Sequence, residues 1–155
     1  MKSMQSSVTF TGVDSSDFED LADIRVAAMR ESLERVGRFD TIRARERLRS
    51  TFTPEHTRFI IFGGAKVGFF TVRPSAEGAQ LDHLYIHPDH QSRGIGSAAL
   101  TSIICDAEKQ GIPILVGALK ESASNQFYQR HGFMFRSEGD WDNYYVRPAS
   151  RPRWL

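Results

Sequence analysis

The sequence holds a single cysteine, Cys105, among 155 residues. That excludes an internal disulfide and permits a reducing compartment. Excess charge is missing too: 20 Lys and Arg against 19 Asp and Glu leave a formal net charge of +1. So balanced a chain has no global pull toward nucleic acid or an anionic membrane, and partner choice must be local. No apolar run approaches the roughly 18 residues of a membrane span. Met1–Ser7 is polar and lacks the apolar core of a secretory signal. Repeats, low-complexity tracts and long linkers are absent as well. These absences leave a soluble cytoplasmic protein, with no nucleic-acid or membrane partner, as the expectation. What is present is ordinary for one globular domain spanning 1–155: 40% hydrophobic and 25% charged residues.

Periodicity divides the chain into short elements. Val8–Val13 alternates and is β-branched, so it predicts a first strand. Asp14–Ser16 offers N-caps for a helix carrying Phe18, Leu21, Ile24, Val26 and Met29. Gly37 interrupts, and a second helix runs from Thr41 to about Phe52, with Pro54 after it. Phe59–Phe62, a Gly63-Gly64 turn and Val67–Val72 form a hairpin. A strand follows from about Gln80 to His87, then a helix after Gly94 with Ala99, Leu100, Ile103, Ile104 and Ala107 on one face. Ile114–Val116 is a buried strand, Ser122–Arg130 a helix, and Phe133–Phe135 and Tyr144–Val146 end the order. The tail Ser150–Leu155 reads as poorly ordered. The fold class is α/β, a mixed and mostly antiparallel sheet flanked by helices in the order β-α-α-β-β-β-α-β-α-β-β.

The most informative residues are Gln91-Ser92-Arg93-Gly94-Ile95-Gly96, between a strand and a helix. Two glycines and a basic residue at such a junction suit main-chain N–H groups wrapped around a phosphate, with the helix dipole behind them. Gly94-x-Gly96-x-x-Ala99 also matches a dinucleotide fingerprint. The context argues against it. His87–Arg93 interposes a loop with Pro88, and the position about 20 residues on, where that fingerprint wants an acid, falls in apolar Pro113–Val116. The Gly-Lys-Ser/Thr of a P-loop is absent.

The pattern resembles the GCN5-related N-acetyltransferase (GNAT) superfamily, whose signature Gln/Arg-x-x-Gly-x-Gly/Ala is matched by Gln91, Gly94 and Gly96. The resemblance extends upstream through Leu84-Tyr85-Ile86-His87-Pro88. Downstream it takes in Asn125-Gln126-Phe127-Tyr128 and His131-Gly132-Phe133. It implies that acetyl-CoA, as cosubstrate, is held at its pyrophosphate by main-chain groups of Ser92, Arg93, Gly94, Ile95, Gly96 and Ser97. Gly94 and Gly96 have no Cβ to keep the diphosphate away. Arg93 either adds a charge-assisted contact or is simply solvated. The pantetheine arm is expected beside Leu84, Tyr85 and Ile86, where the family splays this strand from the next, Pro113–Leu119. Asn125 either orders the CoA arm or stabilises its helix start.

The implied reaction is direct attack of an amine on the thioester. An alkyl amine with a pKa near 10.4 is mostly protonated at pH 7, so the free nucleophile costs roughly 3.4 pKa units, about 4.6 kcal/mol. Tyr128 occupies the family's general-acid position and would stabilise the leaving thiolate by hydrogen bonding. For the base, Gln80, Asp82, Leu84 and Ile86 share one strand face and Leu81, His83, Tyr85 and His87 the other. Asp82 leads; it would need burial to serve as a base. His83 has the better-matched pKa but the opposite facing, unless a bulge re-aims it, and a water chain is the third option.

Other signals carry less. His83 and His87 lie roughly 13 Å apart along a strand, too far to share an ion, so no metal is expected. Cys105 falls within a helix and reads as a buried or edge thiol. Arg43, Arg45, Arg47 and Arg49 form either a solvated face with local ion pairs or an acceptor-recognition surface. Trp141, Asp142, Tyr144 and Tyr145 either close a hairpin or cradle an amine. The expected acceptor is a small amine or amino-acid-like metabolite. A protein or peptide amino group and a non-catalytic CoA-sensing module stand as alternatives, and exposed sheet edges allow a homodimer.

Overall fold

A computed structural model describes residues 7–150. Seven strands form one sheet in the order β1-β2-β3-β4-β5-β7-β6. They are β1 (Val8–Gly12), β2 (Thr57–Phe62), β3 (Ala65–Pro74), β4 (Ala79–Ile86), β5 (Ile114–Leu119), β6 (Met134–Glu138) and β7 (Asp142–Arg147). Four helices accompany them: α1 (Phe18–Arg35), α2 (Thr41–Thr51), α3 (Ile95–Gln110) and α4 (Ser124–Arg130). The predicted element order is the observed one. β1–β2, β2–β3, β5–β7 and β6–β7 are antiparallel, and β4–β5 is parallel. The tail after Ser150 lies outside the described residues.

Where boundaries differ from expectation, polar residues explain it. β2 begins at Thr57 rather than Phe59, because the Thr57 hydroxyl pairs with that of Thr71 at 2.8 Å across the hairpin. α4 begins at Ser124, since the preceding Ser122 is in a turn whose carbonyl accepts from the Asn125 main chain and side chain. β4 stops at Ile86, one residue short of the prediction, and Pro88 opens a short 3-10 turn. Of the two alternatives for Cys105, the buried one is ruled out: the thiol is exposed on α3.

The chain divides into two compact units, one built from the segment up to Thr71 with His83–Leu100, the other from Val72–Asp82 with the segment from Thr101 onward. In the first, the 3-10 turn Ser15–Asp17 that leads into α1 is closed by a reciprocal cap: Ser16 N–H donates to Asp14 Oδ1 at 2.8 Å and Asp14 N–H to Asp17 Oδ2 at 3.0 Å. Phe18, Leu21, Ala22 and Ile24 then project at helical spacing onto Leu48 of α2, Phe59 of β2 and Phe69 of β3. Asp40 caps α2 by accepting from Arg43 N–H at 3.1 Å. Two of the α2 arginines lean back on α1: Arg45 pairs with Glu19 at 2.8 Å, and Arg49 sits 4.0 Å from the centre of the Phe18 ring.

In the second unit, β4 and β5 share just three pairs, Ala79↔Ile114, Gln80↔Leu115 and Leu81↔Val116. The ladder ends there, although β4 continues to Ile86 and β5 to Leu119. β7 pairs with β5 along the whole of it. The β6–β7 hairpin turns at Gly139, whose N–H donates to Asp142 O at 2.8 Å. Tyr144 lies over Gly117, and Trp141 accepts at its carbonyl from Lys120 N–H at 2.8 Å. The Tyr144 ring thus packs on the neighbouring strand, while the Trp141 and Tyr144 side chains are both largely exposed.

One close approach constrains the sequence of β3. A Cβ on Gly68 would overlap the Tyr85 carbonyl oxygen and reach Ile86 Cδ1 at 2.9 Å. Gly68→Ala is expected to lower stability by about 3 kcal/mol, a fall in Tm of roughly 6–12 °C. Gly12→Ala, where a Cβ meets open space, should stay within about 0.5 kcal/mol. Thermal unfolding of the two variants side by side checks this; equal Tm values would refute it.

Candidate active site

The residues after β4 form a pinned turn that leads into α3. His87 N–H donates to Val67 O at 2.8 Å, which closes the strand. Gln91 then turns back and donates from Nε2 to Ile86 O at 2.8 Å. The first signature residue therefore acts by pinning the loop to the strand end. Ser92 (φ +64°) and Gly94 (φ +79°) both adopt the left-handed conformation, which costs a serine about 1–2 kcal/mol and glycine nothing. Ile95 is buried and anchors the first residue of α3, while Gln91–Gly94 are exposed. The first helical bond runs from Ala98 N–H to Gly94 O at 3.0 Å. The N–H groups of Ile95, Gly96 and Ser97 therefore stand outside the helix ladder, at the positive end of its dipole.

The two base candidates on β4 have different surroundings. Asp82 Oδ2 accepts from Arg73 Nε at 2.6 Å; the Asp82 side chain is 16% exposed and that of Arg73 44%. His83 is buried and bonded at both ring nitrogens, Nδ1 to Tyr85 Oη at 3.1 Å and Nε2 to Thr51 Oγ1 at 3.2 Å. Thr51 donates onward to Arg47 O at 3.1 Å. With that hydroxyl proton on Arg47 O, one tautomer satisfies the whole set: His83 donates from Nε2 to Thr51 and accepts at Nδ1 from Tyr85. Tyr85 Oη in turn accepts from Arg25 Nε at 3.3 Å. Arg25, buried on α1, also donates from Nη1 to Ala44 O at 2.6 Å. Burial, reinforced by the Arg25 cation, pushes the His83 pKa down to about 3. No bulge re-aims the ring, since His83 and Tyr85 both pack on Phe69.

Asn125 has its side-chain bonds within the second unit. Nδ2 donates to Leu119 O and Ser122 O, each at 2.9 Å. Oδ1 accepts from Asn143 Nδ2 at 3.0 Å and Tyr145 Oη at 2.7 Å. Both protons and both lone pairs are used, so the side chain ties the end of β5 and the start of α4 to β7. Tyr128 is buried on α4 with its ring edge-on to Phe127 and Phe133, at 5.4 and 5.3 Å between centroids.

A family model described as an acetyltransferase (GNAT) domain matches residues 54–134, more than half of the chain. The chain belongs to the GNAT acetyltransferases. Solved structures agree in fold. PaiA N-acetyltransferase from Thermoplasma acidophilum, in complex with coenzyme A, superposes with a TM-score of 0.75 at 16% identity, over 92% of this chain and 99% of that one. An acetyltransferase from Thermus thermophilus gives 0.73 at 22%, over 92% and 97%. The ribosomal-protein-S18-alanine N-acetyltransferase of Escherichia coli gives 0.68 at 16%, over 96% and 98%. At such identities the likeness is one of fold. No curated protein matches the sequence.

In the first unit of this GNAT chain an open groove of about 460 Å³ lies beside the end of β4. Asp23, Val26, Ala27 and Arg30 of α1 line it at helical spacing, with Thr41 and Arg45 of α2 and the residues His87–Asp89. Its walls carry both signs of charge over an apolar floor. Among the described residues, no helix is long and apolar enough to cross a membrane.

Sequence reasoning missed Arg25, Thr51, Arg73 and Asn143, and for Tyr145 it did not foresee the bond to Asn125. Arg25 had a signal, because it stands four residues after Leu21 on an otherwise apolar stripe. The other four are ordinary polar strand and helix residues, whose partners lie 9 to 32 positions away.

His83 links this site to stability. The unfolded chain takes up a proton near pH 6.5, the folded one only near 3. The neutral imidazole therefore contributes fully above pH 6.5. Its contribution declines as pH falls toward 3, by up to about 1.4 kcal/mol per pH unit. Urea unfolding between pH 7 and 4 should show a flatter stability curve for His83→Gln than for wild type. Parallel curves would exclude a buried neutral His83.

Proposed function

We propose that this GNAT chain transfers the acetyl group of acetyl-CoA to a primary amine by direct attack. The observation that carries the reading is the Gln91–Ser97 turn, in which a pinned loop leads into three N–H groups free of the helix ladder. The fit to a diphosphate is chemical: donors without Cβ bulk at Gly94 and Gly96, and a cation at Arg93. PaiA, which shares the fold, was solved with coenzyme A bound.

In this reading the amine nitrogen bonds to the thioester carbon as its proton leaves, and the carbon–sulfur bond breaks. Tyr128 donates a hydrogen bond to the departing thiolate. With a reference pKa near 10 against about 8.5 for a thiol, complete transfer is uphill by roughly 2 kcal/mol, so stabilisation of charge outweighs early protonation. Asp82, oriented by Arg73, attracts the ammonium and takes its proton directly or through water. His83 is the weaker base, because both ring nitrogens are engaged and its pKa is about 3.

The acceptor that best suits the groove beside α1 and α2 is a small amine or amino-acid-like molecule. Asp23 and Asp89 suit an ammonium, and Arg30 a carboxylate, while Arg45 stays paired with Glu19 at the rim. A peptide amino group is the second reading, prompted by the fold shared with the S18-alanine enzyme.

A thiol-release screen with acetyl-CoA against amines, amino acids and peptides tests the proposal. Release with a small amine is the expected result. Tight acetyl-CoA binding without release on any acceptor would favour a sensing module instead. Tyr128→Phe should lower kcat by about 10²-fold and leave acetyl-CoA affinity within about threefold; an unchanged kcat would remove its role. Gly94→Val places a β-branched side chain at φ +79° and should weaken acetyl-CoA binding by at least about tenfold in calorimetry.

A further inference from the structure

Beyond Leu81 the β4–β5 ladder has ended, and strand pairing to β3 holds β4 on one edge alone. Within the first unit a chain of side-chain hydrogen bonds adds to that pairing. Arg25 of α1 holds the Tyr85 hydroxyl, and the same hydroxyl is held by His83, which reaches Thr51 at the end of α2. The guanidinium also lies 5.7 Å from the Tyr85 ring centre. Each member of the chain donates in one direction, and the chain ends on a main-chain carbonyl of α2.

We propose that His83 and Arg25 are positioning residues, which clamp Tyr85 from both sides and so fix the β4 segment His83–Ile86 that receives the acyl-CoA arm. This rests on the acetyl-CoA reading. Tyr85 cannot swing without breaking two part-buried hydrogen bonds at its hydroxyl, and such bonds are costly to leave unmade. Its neighbours Leu84 and Ile86 therefore keep their main-chain groups in one place. Ile86 is fixed a second time by Gln91. A strand edge held this way is pre-organised, and the ordering cost is met in folding rather than in binding. His83 thus serves the reaction without touching it.

Calorimetric titration with acetyl-CoA tests the clamp in wild type, Tyr85→Phe, His83→Phe and His83→Gln. Tyr85→Phe deletes only the hydroxyl, and His83→Phe keeps the ring contact with Phe69 while removing both hydrogen bonds. Each should weaken acetyl-CoA binding about tenfold. His83→Gln, whose amide accepts from Tyr85 and donates to Thr51, should recover to within about threefold of wild type. If His83→Phe does not fold, Tyr85→Phe decides alone. Wild-type affinity in a folded Tyr85→Phe overturns the clamp. So does a loss of thiol release in His83→Gln with affinity intact, which would put His83 in the chemistry. A wild type that fails to bind acetyl-CoA overturns the acyl-CoA reading, and the clamp with it, and is told apart by needing no variant.

Discussion

The second half of β4 pairs with β3 on one edge only, because the ladder with β5 is over at Leu81, and its side chains and its end supply the rest of the restraint. Strand pairing normally restrains both edges of a central strand; here one edge is given up. Gly68 lets β3 approach the Tyr85 carbonyl closely, His87 N–H closes onto Val67, and Gln91 bonds the Ile86 carbonyl. The turn that follows inherits its position from these contacts. The left-handed conformation of Ser92, which glycine adopts freely at Gly94, is held by a loop fixed at both ends, at Ile86 and at buried Ile95. The start of α3 is thereby aimed.

Charge is distributed to the same end. Arg25 is buried with neutral partners, a carbonyl and a phenol, and its field helps keep His83 neutral. A protonated His83 beside that guanidinium would face both desolvation and like-charge repulsion. The neutral form alone allows the one-directional chain through Tyr85 and Thr51. Acid–base work, if carried by a side chain of β4, therefore falls to the Asp82 face. There a carboxylate sits against the half-exposed Arg73.

Much of the fold was legible along the chain. Every helix and strand was visible as a period or an apolar run, from the Phe18–Leu21–Ile24 stripe to the Ile114–Val116 core strand. The glycine turn was legible because it is local: its function depends on six consecutive residues and the helix after them. Asn125 was not. Whether its amide serves a ligand or the protein depends on Leu119, Asn143 and Tyr145, and only strand pairing brings the last two within 3.0 Å. The arginines of α2 were similarly open until Arg45 and Arg49 were seen against Glu19 and Phe18.

Sequence alone determined the element order, the glycine turn before α3 and the family, since each rests on short-range pattern: alternation, helical spacing, and residues whose main-chain conformation is intrinsic to them. Tertiary structure decided what the polar side chains of β4 do. Asp82 and His83 are neighbours with similar claims as bases when read in sequence. Folding sends one toward Arg73 and buries the other between Tyr85 and Thr51. A side chain's protonation and hydrogen bonds are set by the dielectric and the partners around it, and those come from segments distant in the chain.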